Sequence, residues 1–93
     1  MTTNRIRYIV RYTGQVQGVG FSMTSVVQAN GLDVHGFVRN EPDGSVTMDV
    51  EASKADMQEL MRRIASSMSG RIDGTSIDER PPQDRNDGLR IEH

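Results

Sequence analysis

Residues 5–13 alternate along the chain: Ile6, Tyr8, Val10 and Tyr12 fall on one face, and Arg5, Arg7, Arg11 and Thr13 share the other with Ile9. A period of two carried by β-branched and aromatic residues predicts a strand with one buried face. Three glycines then fall within seven positions, Gly14, Gly18 and Gly20. Beyond them Met23, Val26 and Val27 recur at helical spacing, and Gly31 supplies a C-terminal stop. Ser22, Thr24, Ser25, Val26 and Val27 are all mediocre helix formers, so this helix is expected to depend on packing.

Residues 34–40 and 45–51 read as a second and a third strand. Glu41-Pro42-Asp43-Gly44 between them is turn chemistry, so the two are expected to pair as an antiparallel hairpin. Ser53 opens a second helix with Asp56 three residues on, in the manner of a capping box. Met57, Leu60, Met61, Ile64 and Met68 mark its buried stripe and Gly70 ends it. The methionines read as core filler. Residues 71–78 supply a fourth strand, 80–87 a polar loop and 89–92 a short last strand. There is no internal repeat or linker, so residues 1–93 read as one domain. The order βαββαβ predicts an α+β, ferredoxin-like sandwich: an antiparallel sheet with two helices on one face.

Composition narrows the function classes. A chain of 93 residues buries only about 60–70% of its unfolded surface, so its core is thin. Charged residues make up 26% of it, yet the net charge is −2, with two Tyr, two Phe and no Trp. That balance lacks the basic footprint of a nucleic-acid binder, and an RNA-recognition sheet would need an exposed aromatic platform that is not visible here. With no cysteine, disulfides, thiolate metal sites and a cysteine nucleophile are excluded. No apolar run is long enough to span a membrane and no signal-peptide pattern follows Met1. The expectation is a cytoplasmic monomer without membrane contact. His35 and His93 read as solvated surface residues without metal-ligand spacing.

The candidate chemistry lies in Gly14-Gln15-Val16-Gln17-Gly18-Val19-Gly20-Phe21. A glycine-rich turn between a strand and a helix can point successive backbone N–H groups inward around an anion, with a helix N-terminus beneath. The same glycines could serve only to permit a tight turn. Asn40, ending a strand, could be a turn former or a cap. Ser22, which follows the loop, carries no charge.

Together these segments resemble the acylphosphatase family over nearly the whole chain. Its first signature is a glycine, two further positions, then Gln-Gly-Val-Gly-Phe-Arg; here the segment runs from Gly14 to Ser22. Its second stands as Gly36-Phe37-Val38-Arg39-Asn40, followed by Asp43-Gly44-Ser45-Val46. The resemblance implies a metal-independent hydrolase without cofactors, splitting acyl phosphates into carboxylate and inorganic phosphate. It implies a phosphate cradle of Gln15, Val16, Gln17, Gly18, Val19, Gly20 and Phe21, open to phosphate or sulfate as well. It also implies that Asn40 orients the attacking water. The family's phosphate-binding arginine corresponds to Ser22. A serine can donate one hydrogen bond but cannot supply the charged bidentate fork. Arg39 should point to the opposite sheet face from Asn40, and Arg11 should sit in solvent, so neither is expected to substitute. Hydrolysis is therefore expected to be weak or lost while anion binding persists. A non-catalytic anion- or partner-binding module is the alternative.

Overall fold

The computed structural model describes residues 4–18 and 20–92; Val19 and His93 lie outside the described residues. The elements run β1 (Arg5–Gly14), α1 (Phe21–Gln28), β2 (Val34–Asn40), β3 (Val46–Ser53), α2 (Lys54–Ser67), β4 (Ile72–Arg80) and β5 (Leu89–Glu92). They form one sheet in the order β4-β1-β3-β2-β5. β1 pairs antiparallel with β3 and β4, and β3 with β2, giving the ferredoxin-like arrangement. The last strand departs from the expected all-antiparallel sheet: β5 adds parallel to β2. Residues 81–88 must cross the sheet from its β4 edge to its β2 edge, and re-enter running with β2.

The alternating strands bury the faces their sequence marks. Tyr8, Val10 and Tyr12 of β1 meet Val46, Met48 and Val50 of β3 in the core, beneath Met57, Leu60 and Ile64 of α2. The α2 stripe is as expected, with Met61 only partly buried. Ser53 caps this helix by accepting from the Asp56 N–H at 3.2 Å.

Helix α1 turns differently from its apolar spacing. Phe21 and Ser25 are its buried residues, whereas Met23 and Val27 are 60% and 59% exposed. Ser25 tolerates full burial because its hydroxyl donates to the Phe21 carbonyl at 2.9 Å. Its small side chain lets the helix settle closely on the sheet. The C-terminal end of α1 is stabilised from α2: Arg63 Nη1 donates to the Gln28 and Asn30 carbonyls, both at 2.9 Å. A cation there satisfies late carbonyls and opposes the helix dipole.

The sheet face away from the helices holds acidic groups under the crossing segment. Arg7 grips Asp49 through two hydrogen bonds of 3.0 and 2.7 Å, and Arg85 adds a third at 2.7 Å. Burial pushes the Asp49 carboxyl up, but hydrogen bonds and charge from the two arginines outweigh it and hold the group below the usual carboxylate range. Glu51, fully buried, accepts from the Gln83 and Arg85 N–H groups at 2.8 and 3.3 Å. His35 is not the solvated residue its sequence suggested, with its side chain only 13% exposed. Its Nδ1 accepts from the Gly88 N–H at 2.9 Å. That leaves the ring proton on Nε2, 2.6 Å from Asp33 Oδ1.

Gly36 permits the close approach of β2 to β3. Its φ is +146°, and a Cβ built there would lie 1.8 Å from the Asp49 carbonyl oxygen.

Candidate functional site

The loop from β1 to α1 and the end of β2 enclose one cavity of about 320 Å³. Val16, Gly18, Gly20 and Phe21 line one side of it, with Ser22 and Asn40 facing the same space. The loop can present its backbone because Gly18 and Gly20 both take φ of +75°, a left-handed conformation that glycine adopts without strain. Gly20 is also the residue from which α1 starts, and no side chain caps that end. Among the described residues, the N–H groups of Val16, Gln17, Gly18, Gly20 and Phe21 have no hydrogen-bond acceptor. Donors left open at a helix start form a site of positive potential suited to an anion.

Gln15 and Gln17 stand apart from the cavity wall. The Gln15 N–H donates to the Arg71 carbonyl at 2.8 Å, which ties the loop to the chain entering β4. The Gln17 side chain reaches the hairpin between β2 and β3, where Nε2 donates to the Glu41 carbonyl at 2.7 Å and the Ser45 carbonyl at 2.9 Å. This clamp fixes the loop relative to the strand end that carries Asn40. Repeated glycines marked the loop, but nothing local in the sequence signals that Gln17 bridges to residues 24 and 28 positions away.

The floor is apolar and neutral. Val16 is fully buried and Phe21 is 2% exposed. The Phe21 ring packs against Tyr12 with centroids 4.8 Å apart. Burial raises the Tyr12 hydroxyl well above its ordinary pKa, so it stays protonated.

No lysine or arginine is among the described residues that line the cavity. Arg39 projects from the opposite sheet face, as the alternation of β2 requires, and pairs with Glu41 and Glu92, both at 3.1 Å. Arg11 pairs with Asp43 and donates to Ser45 Oγ at 3.1 Å. Arg11 is thus engaged by Asp43, and Arg39 by Glu41 and by Glu92, a residue that itself lines the cavity. Among the described residues no cluster of three His, Asp or Glu side chains converges as metal ligands would.

A ferredoxin-like sandwich with an open-amide loop between its first strand and first helix, faced by an asparagine from the second strand, defines a class of small α+β domains. The sequence matches the acylphosphatase family over residues 8–91. It is 36% identical to an acylphosphatase of Paenarthrobacter aurescens over 92 residues, 98% of each chain. To an acylphosphatase of Salinibacter ruber it is 35% identical over 86 residues, 91% of this chain and 90% of that one. The crystal structure of the Bacillus subtilis acylphosphatase superposes with a TM-score of 0.85 at 24% identity, covering 95% of this chain and 99% of that one. This chain belongs to the acylphosphatase family, whose activity is the hydrolysis of acyl phosphates.

Proposed function

We propose that this chain binds the phosphoryl group of acyl phosphates, and inorganic phosphate, in the backbone cradle formed by Val16, Gln17, Gly18, Gly20 and Phe21, and that it hydrolyses acyl phosphates weakly or not at all. The observation that carries this reading is one cavity lined by open amides, Ser22 and Asn40, in which the charged residue among the described lining is Glu92, paired with Arg39, and no described cationic side chain takes part. Backbone donors and the helix dipole do not depend on the side chain at position 22, so anion binding survives there. Turnover is another matter. An arginine at this position would give two charged hydrogen bonds to the phosphoryl oxygens, each worth roughly 1.5–3 kcal/mol. Felt in the transition state, their absence corresponds to roughly 10²- to 10⁴-fold in rate.

Residual hydrolysis would run through Asn40. Its carboxamide can accept a hydrogen bond from a water and donate one to it, holding the oxygen toward phosphorus. The water oxygen bonds to phosphorus, the bond from phosphorus to the acyl oxygen breaks, the carboxylate leaves with that electron pair, and a proton of the water passes to a phosphoryl oxygen to give dihydrogen phosphate. Carboxylate is a good leaving group, so no strong base is required. The test is benzoyl phosphate hydrolysis by the natural chain and by Ser22→Arg, alongside phosphate titration of both. The expected result is phosphate binding by both and a gain of at least 100-fold in turnover for Ser22→Arg. Efficient, Asn40-dependent turnover by the natural chain would refute the weak-hydrolysis reading; absence of phosphate binding by either would refute the cradle.

A further inference from the structure

Helix α1 leaves Met23 and Val27 about 60% exposed, although both are large apolar residues one helical turn apart. Lone exposed hydrophobics are ordinary, but these two line adjoining hollows. Met23 lines the cradle cavity together with Ile91 of β5. Val26 and Val27 line a second hollow together with Leu89 of β5. The two hollows share their walls: α1 on one side, and on the other β5, which packs against α1.

The spacing on the two walls agrees. From Met23 to Val27 the helix advances about 6 Å. From Ile91 back to Leu89 the strand moves about 6.6 Å, with both side chains on one face. The directions agree as well, because a crossover helix runs back against the strand it leads to and β5 runs parallel to β2. The seam between α1 and β5 therefore begins at the cradle with Met23 and Ile91 and continues one turn away from it with Val27 and Leu89.

We propose that this seam is an acyl subsite. With the phosphoryl group in the cradle, an extended apolar acyl group lies along Met23, Ile91, Val27 and Leu89, and the ligands this chain favours are medium-chain acyl phosphates. The proposal rests on the cradle reading above. It assigns Met23 and Val27 to substrate contact, which accounts for apolar side chains that the core does not bury.

The experiment is an NMR titration of the natural chain with inorganic phosphate, acetylphosphonate and octanoylphosphonate, whose carbon–phosphorus bond replaces the scissile oxygen linkage. Octanoate serves as the control without an anion for the cradle. Each fully buried methylene corresponds to roughly fourfold in affinity. Octanoylphosphonate is therefore expected to bind at least tenfold tighter than acetylphosphonate, with shifts at Met23 and Val27. Val27→Ser, a turn away from the cradle, should remove most of that gain and leave phosphate and acetylphosphonate binding as they were. Phosphate binding with equal affinity for the two phosphonates overturns the acyl subsite alone, as does octanoate binding as tightly as octanoylphosphonate. Failure of phosphate and acetylphosphonate to bind overturns the cradle and the subsite together.

Discussion

Replacing Gln17 by Met tests whether the cradle is held in place from across the sheet. The substitution keeps the side chain's length but removes the two hydrogen bonds to the Glu41 and Ser45 carbonyls. Neither carbonyl is orphaned, since Glu41 O still accepts from Gly44 N at 3.2 Å and Ser45 O from Glu41 N at 2.9 Å. The cost is then two net hydrogen bonds, about 1–3 kcal/mol, rather than the larger penalty of bare buried acceptors. Side-chain freedom regained by the loop offsets up to about 1 kcal/mol of this, leaving about 1–2 kcal/mol. For a domain of this size that corresponds to a fall in Tm of about 4–16 °C. If the same energy keeps the loop in its binding geometry, sulfate affinity drops by about 5- to 30-fold. The assay is a thermal melt together with sulfate titration of the Gly18 and Gly20 amide resonances. Gln17→Glu adds a control that packing cannot mimic: protonated at low pH, its carboxyl regains one donor, so its sulfate affinity should recover relative to the natural chain as pH falls. Gln17→Met with sulfate affinity within twofold of the natural chain would refute the clamp.

Gly36→Ala combines backbone strain of about 1–3 kcal/mol at a φ of +146° with overlap of the Asp49 carbonyl oxygen. The sum should exceed about 4 kcal/mol, most of what a small domain possesses. The expected melt is lost or moved down by more than 20 °C, and a shift under 5 °C would contradict the close approach of β2 to β3. Asp49→Asn should cost about 2 kcal/mol at pH 7, because Arg7, 23% exposed, loses its charged partner, while Arg85, 20% exposed, keeps only its pairing with Glu51. Since the folded pKa of Asp49 is depressed, its contribution is present above about pH 4 and is lost as pH falls through the folded value. Urea midpoints of the two proteins should converge in acid. Glu59, held at about 2 by hydrogen bonds from Arg62 and Arg63, titrates in the same limb, so the acid slope is blunted in Asp49→Asn rather than abolished.

Local chemistry made much of this fold legible. The strands at 34–40 and 89–92 are where alternation and turn residues put them, and the α2 stripe from Met57 to Met68 is the one its period marks. Helix α1 itself was legible, but which of its faces is buried was not, because eight residues give periodicity little to average over. It buries Phe21 and Ser25, the latter polar in sequence but satisfied by its own helix. Residues 81–88 read as a polar loop, and nothing local tells that they cross a whole sheet. Their polar character is explained only by Asp49 and Glu51 on β3, which Arg85 and the backbone amides meet. His35 was misread for the same reason, since its partner Gly88 lies 53 residues on. In the candidate site, glycine spacing announced the loop, whereas Asn40 was singled out only by its place in the family's second signature, since turn chemistry alone would also account for it. The side-chain role of Gln17 and the diversion of the Gln15 amide to Arg71 depend on contacts that only the folded chain creates.

A site assembled mainly from backbone separates binding from chemistry. Each open amide in the cradle is present whatever its side chain, provided that Gly18 and Gly20 keep their left-handed conformations. An exchange at position 22 alters charge without altering that geometry, whereas an exchange at Gly18 or Gly20 would alter the geometry itself. Anion affinity and hydrolytic rate should therefore respond to different positions. The loop glycines and Gln17 are expected to govern the first, and position 22 and Asn40 the second. The Ser22→Arg and Gln17→Met variants probe these two sets independently. If Gln17→Met made in the Ser22→Arg background multiplied its separate effect on KM and left kcat near that of Ser22→Arg alone, the separation would hold. A collapse of kcat in the double variant would mean that the clamp also sets the distance between the phosphoryl group and the water held by Asn40.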